Sequence, residues 1–132
     1  MTPPVPGKHA SGVTSQILQV DPNTLQQAFS VAAGHPALAG HFPGRPIVPG
    51  VVLLDQVILM ITDWLALDAA RSHWQISNAK FLSPVLPGDA LQLQVSRQPG
   101  DDYDNLRFEL FDSSAGERRI ASGALRLQRL PS

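Results

Sequence analysis

The chain has 132 residues, of which 43% are apolar and 16% charged, with a formal net charge of −1. That length suits one domain, the apolar share suffices for a core, and so weak a charge excludes strong attraction to nucleic acid or an anionic membrane surface. Cysteine is absent, which excludes disulfides, thiol nucleophiles and thiolate metal sites and fits a reducing compartment such as the cytoplasm.

The elements follow in chain order. Residues 1–12, with Pro3, Pro4 and Pro6, read as a flexible arm without the apolar run of a secretory signal, and residues 13–132 as the folded domain. Ser15 to Val20 and Leu25 to Ala32 are short strand candidates around a turn at Asp21-Pro22-Asn23, although Leu25 to Ala28 also suits a helical turn. Ala33 to Gly50 is a long loop punctuated by Pro36, Pro43, Pro46 and Pro49, and loops of that length in small domains usually carry function. Pro49 can occupy the first turn of a helix, where a missing N–H costs nothing. From Val51 to Ile61, nine of eleven residues are apolar, on every face, which predicts a helix buried all round. Asp55, Gln56, Thr62 and Asp63 make the stretch too polar for a membrane span.

His73 to Leu82 reads as a further strand. After it come three runs of alternating polarity: Leu91, Leu93, Val95; Leu106, Phe108, Leu110; and Leu125, Leu127. This is the period of antiparallel strands with one wet face. Pro87-Gly88-Asp89, Pro99-Gly100-Asp101 and Ser113 to Gly116 supply the turns. The expectation is an α+β fold in which a curved antiparallel sheet of five or six strands wraps one central helix. A sheet of that size leaves part of so apolar a helix uncovered, and a second copy of the chain can cover the rest.

Asp55 is the anomaly in the helix. Its neighbours three and four residues away are Val51, Val52, Ile58 and Leu59, none able to pair with a carboxylate. Asp55 therefore faces water, is paired from elsewhere in space (for instance by Arg45), or is held neutral. His41, fourteen residues earlier, supplies a base type suited to neutral pH, on a loop stiffened by proline. Taken alone, it reads equally as a loop histidine bonded to backbone. Gly50 opens the helix, where unpaired N–H groups and the helix dipole favour a developing oxyanion and a substrate can approach the backbone closely. Base, acid and oxyanion donor are the parts needed to eliminate water from a 3-hydroxyacyl thioester without cofactor or metal, and they also suit double-bond migration.

The run His41-Phe42-Pro43-Gly44-Arg45-Pro46-Ile47-Val48-Pro49-Gly50, followed by Asp55, resembles the β-hydroxyacyl-acyl-carrier-protein dehydratases of bacterial fatty-acid synthesis. Lys80-Phe81-Leu82-Ser83-Pro84-Val85-Leu86-Pro87-Gly88-Asp89 resembles a second segment of the same family. The resemblance implies the hotdog fold and a dimer in which His41 of one subunit, as base, meets Asp55 of the partner subunit, as acid or water-orienting group. It further implies that the Gly50 N–H holds the thioester carbonyl and that acyl carrier protein delivers the substrate on a phosphopantetheine arm. His35 to Gly40 resembles dehydratases of aryl polyene-type pathways. Two positions depart from the pattern: the acid is aspartate, as in the dehydratase–isomerase subfamily, and Leu59 stands where the family often has glutamine, with Gln56 beside the acid instead.

Phe42, Pro49, Val51 and Phe81 are the candidate substrate-binding residues, with core packing the plainer reading of the aromatics. Trp64, Trp74 and Met60 read as core or interface. His9, His35 and His73 form no ligand pair, so no metal is expected, and no glycine loop matches a nucleotide fingerprint. Arg45, Arg71, Lys80, Arg97, Arg118 and Arg119 are candidates for a basic rim that docks an acidic carrier, or else solvated surface charges. Two other readings remain open: a hotdog acyl thioesterase, and a catalytically weak carrier-binding subunit paired with a related chain.

Overall fold

The computed structural model describes residues 13–32, 47–115 and 118–130, with backbone alone for residues 13–20, 115 and 129. The proposed arm, His9, His35, His41, Phe42 and Arg45 lie outside the described residues. Six strands and one long helix form the fold: β1 (Val13–Asp21), β2 (Thr24–Val31), α1 (Gly50–Trp64), β3 (Ser72–Phe81), β4 (Leu91–Gln98), β5 (Asp104–Asp112) and β6 (Arg118–Arg129). Every pairing is antiparallel, in the order β1-β2-β4-β5-β6-β3, so β1 and β3 are the edges.

The alternating runs become the inner face of this sheet. Leu93 opposes Leu110 and Val95 opposes Phe108 across β4 and β5, and Leu106 opposes Leu125 across β5 and β6. These side chains are buried and form one cluster with Leu25 and Phe29 of β2 and with Val52, Leu53, Val57, Met60 and Ile61 of α1. Leu25 to Ala28 is strand rather than a helical turn, because its odd positions face this core while Ala28 faces out. Trp64 and Trp74 pack half-buried against the cluster.

As expected of a sheet this small, one side of the helix is left open within a single chain. One sheet covers one face. Val51, Asp55, Leu59 and Asp63, spaced four apart, form an exposed stripe on the other, with Val51 73% and Leu59 50% exposed. Gln56, by contrast, is buried on the sheet side.

The two ends of α1 differ. Pro49 opens it in extended conformation, with no side-chain cap, and its carbonyl accepts from the N–H of Val52 (3.0 Å) and Leu53 (3.2 Å). At the other end Leu67 N–H donates to the Thr62 carbonyl (3.0 Å) and Ala66 N–H to the Asp63 carbonyl (3.2 Å), the bond pattern of a Schellman motif. Its left-handed position, normally glycine, is Ala66 at φ 52°.

Two bulges shape the β3 side of the sheet. Ile76 opposes Leu125 and Asn78 opposes Ala124, so Ser77 is an extra residue in β3. Leu110 opposes Ala121 and Phe111 opposes Arg119, so Ile120 is an extra residue in β6. Gly123 lies where the chain cannot carry a side chain, since a Cβ there would be 2.5 Å from the Phe108 ring and 2.7 Å from the Asn78 carbonyl oxygen.

Candidate active site

Ile47 to Gly50, the described end of the first segment, meets the second segment at the head of α1. The Val48 N–H donates to the Val85 carbonyl at 2.8 Å, and both side chains are buried, so the chain entering the helix is tied to the β3–β4 connection. That connection is itself anchored. The Ile120 carbonyl, in the β6 bulge, accepts from the N–H groups of Leu82 (2.7 Å) and Ser83 (3.3 Å). Pro87-Gly88-Asp89 forms a tight turn with Pro87 and Gly88 as its central residues. Asp89 N–H returns to the Leu86 carbonyl (3.1 Å), and Gly88 has φ +88°, a region that glycine enters without strain. The Asp89 carboxylate accepts from Leu86 N–H (2.9 Å), and Gly88 N–H donates to the last residue of β2 through the Val31 carbonyl (2.8 Å). Much of the second segment is therefore scaffold.

A cleft of about 320 Å³ opens between these elements, lined by Val48, Pro49, Gly50, Leu53, Phe81 and Val85 among others. Its walls are mostly apolar side chains. Neither Gly50 nor Val51 finds an acceptor for its N–H among the described residues, so the positive end of the helix dipole points free backbone donors toward this region. Phe81, the last residue of β3, lies with its ring against Gly50. Pro49, Gly50 and Phe81 thus line one cleft. Val51 is not among the residues lining the cleft; it points outward on the open stripe. Leu53, one turn into the helix, lines the cleft and had no signal in the sequence beyond its distance from Gly50.

Asp55 stands on the open stripe, one turn beyond Val51 and one before Leu59. It faces water and has no hydrogen bond or ion pair among the described residues. Leu59 is beside it, while Gln56 points into the core, so Gln56 does not take up the place of the family's glutamine at position 59. His73 is exposed on β3. Among the described residues no three metal-ligating side chains cluster.

Four of the candidates for a basic rim are ion-paired. Arg97 is not a free surface charge: its guanidinium holds the buried Asp104 carboxylate at 2.9 Å. Arg118 holds the buried Asp112 at 3.0 Å, and Arg119 pairs with Glu109 at 3.2 Å. Hydrogen bonds from the Ser114 hydroxyl and N–H, with help from Arg118, hold the Asp112 carboxyl below the usual carboxylate range. Arg71 reaches Asp68 at 3.7 Å, and Lys80 is exposed.

Comparison with known proteins decides the family. Residues 17–124 match the ApeI-like family, described as ApeI dehydratase. The chain belongs to the ApeI-like dehydratases. This dehydratase is 32% identical over 119 residues to a 3-hydroxyacyl-[acyl-carrier-protein] dehydratase FabZ of Polynucleobacter necessarius, covering 86% of this chain and 79% of that one. It resembles the dehydratase heterocomplex ApeI:P of Xenorhabdus doucetiae with a TM-score of 0.68 at 24% identity, covering 86% of this chain and 95% of the other. It also resembles mouse thioesterase superfamily member 2, with a TM-score of 0.65 at 17% identity over 89% of this chain and 82% of that one. The dehydratase thus has the α+β hotdog fold that these neighbours share.

Proposed function

We propose that this protein removes water from a 3-hydroxyacyl group carried as a thioester on acyl carrier protein, giving the 2-enoyl thioester for fatty-acid or polyene synthesis. The observation that carries this reading is an exposed carboxylate, Asp55, without a partner among the described residues, one turn from the donor-bearing head of α1 in a chain of a dehydratase family. In this reading His41 takes the proton from C2, and the Gly50 N–H steadies the negative charge on the thioester oxygen. The electrons of the C2–H bond form the double bond as the C3–O bond breaks, and Asp55 gives the departing hydroxyl its proton. No metal or cofactor enters that balance.

The reading includes a second copy of the chain. Ile76 is exposed on the edge strand β3, and the open face of α1, where exposed Val51 and Leu59 flank Asp55, is a surface suited to burial in a dimer. Covering it would let His41 of one subunit face Asp55 of the partner subunit. A related hotdog chain as that second subunit is the alternative, favoured by the likeness to a dehydratase heterocomplex and by Leu59 in place of glutamine. An acyl carrier protein as substrate donor would put the reaction in the cytoplasm.

Purified protein given a 3-hydroxyacyl-carrier thioester should develop conjugated-enoyl absorbance, lost in His41→Ala. Free thiol released without enoyl product would move the reading to a thioesterase. Turnover only after a second hotdog chain is added would move it to the heteromer.

A further inference from the structure

Gly50 has a neighbour before any substrate arrives. A Cβ built on it would meet three atoms of the Phe81 ring at 3.1–3.2 Å, closer than ordinary van der Waals contact. The close approach that a glycine permits here is thus already taken by this chain's own aromatic side chain.

Phe81 is 46% exposed, while part of its ring lies against Gly50. Its backbone, in contrast, is fixed: Phe81 pairs with Ala121 in the β3–β6 ladder, and Leu82 N–H is bonded to the Ile120 carbonyl at 2.7 Å. A fixed backbone with a half-exposed ring is an arrangement in which the side chain can change rotamer while the strand stays in place, a fast motion for exposed side chains.

We propose that Phe81 is a movable wall of the acyl site, and the residue that limits bulk at C2 of the substrate. Its ring rests on Gly50 in the free protein and turns toward solvent to admit the thioester. An unbranched 3-hydroxyacyl chain passes with the ring displaced a little. A methyl branch at C2, next to the carbonyl held at Gly50, demands the volume that the ring occupies. This inference rests on the proposed dehydration, in which the Gly50 N–H receives the thioester oxygen.

The test separates binding from turnover. Unreactive pantetheine amides of 3-hydroxybutyrate and of 2-methyl-3-hydroxybutyrate are titrated calorimetrically against the full-length protein. Wild type should prefer the straight analogue, and Phe81→Ala should shift that preference toward the branched one by about tenfold, the usual weight of a methyl-sized change in a tight apolar site. Phe81→Leu, which keeps an apolar side chain, covers the case in which the alanine variant does not fold, and should shift it part of the way. An unchanged preference in a variant that melts like wild type overturns the wall, as does binding of neither analogue to wild type. Enoyl formation by wild type is read separately: its absence with the preference shift intact would defeat the dehydration and leave the wall standing.

Discussion

The carboxylates of the β4–β5 region and the carboxylate of the helix are used in opposite ways. Asp104 and Asp112 are buried, each held by an arginine and by backbone N–H groups of the adjoining turns. They close the two ends of a strand pair. Asp55 is exposed between Val51 and Leu59 and has no hydrogen bond or ion pair among the described residues. The contrast teaches where the molecule keeps chemical capacity in reserve. Charges at the sheet ends are committed to structure, whereas Asp55 meets no counter-charge among the described residues, where exposed Val51 and Leu59 invite another surface.

Substitutions can break that comparison, and the largest effect is expected on activity. Asp55→Asn should lower enoyl formation by about 100-fold or more, the weight of a proton-transfer group, while its melting temperature stays close to wild type because the site is exposed. A large fall in Tm with Asp55→Asn would mean that the carboxylate is structural after all. Asp104→Ala should do the reverse. It strands the Arg97 guanidinium in a largely buried site and should cost about 3 kcal/mol by denaturant unfolding, with kcat/KM retained below the transition.

Asp112 sharpens the point through pH. Its carboxyl titrates lower in the folded protein than its ordinary value of 3.8, so its contribution is present above that value and fades as pH falls through the depressed one. Asp112→Asn should therefore lose about 1 kcal/mol at neutral pH, and the gap from wild type should close progressively below about pH 4 in acid-unfolding curves. The smallest effect belongs to the far end of α1. Ala66→Gly relieves an alanine at φ 52° and should gain about 0.5 kcal/mol, after the added freedom of the unfolded chain is set against the relief. Activity should not change, since this end of the helix is capped and remote from the cleft.

Much of the fold was legible because its signals are local. The strands of the second half announce themselves by alternation, and Pro87-Gly88-Asp89 by a turn chemistry that only glycine at its third place satisfies easily. Asp55 was legible as an anomaly for the same reason, since its neighbours on a helix follow from spacing alone. What spacing could not give is which face of α1 the sheet would cover. Nine apolar residues in eleven ask for burial on all sides, which one sheet cannot supply, but only the structure shows that Val51 and Leu59 are among the positions left exposed. Nor could it give the meeting of Phe81 with Gly50, or of Arg97 with Asp104. The first joins residues far apart in the chain, and the second depends on which way a strand's side chains turn at its last residues.

The extra residue at Ser77 has a consequence for what the molecule will accept as company. A straight free edge offers its N–H and carbonyl groups in an even row to any extended peptide. The β3 edge does not: its row is broken in the middle, between Ile76 and Asn78. A strand laid against it must carry a complementary irregularity or stop short, which turns an indiscriminate sticky border into a lock with a notch.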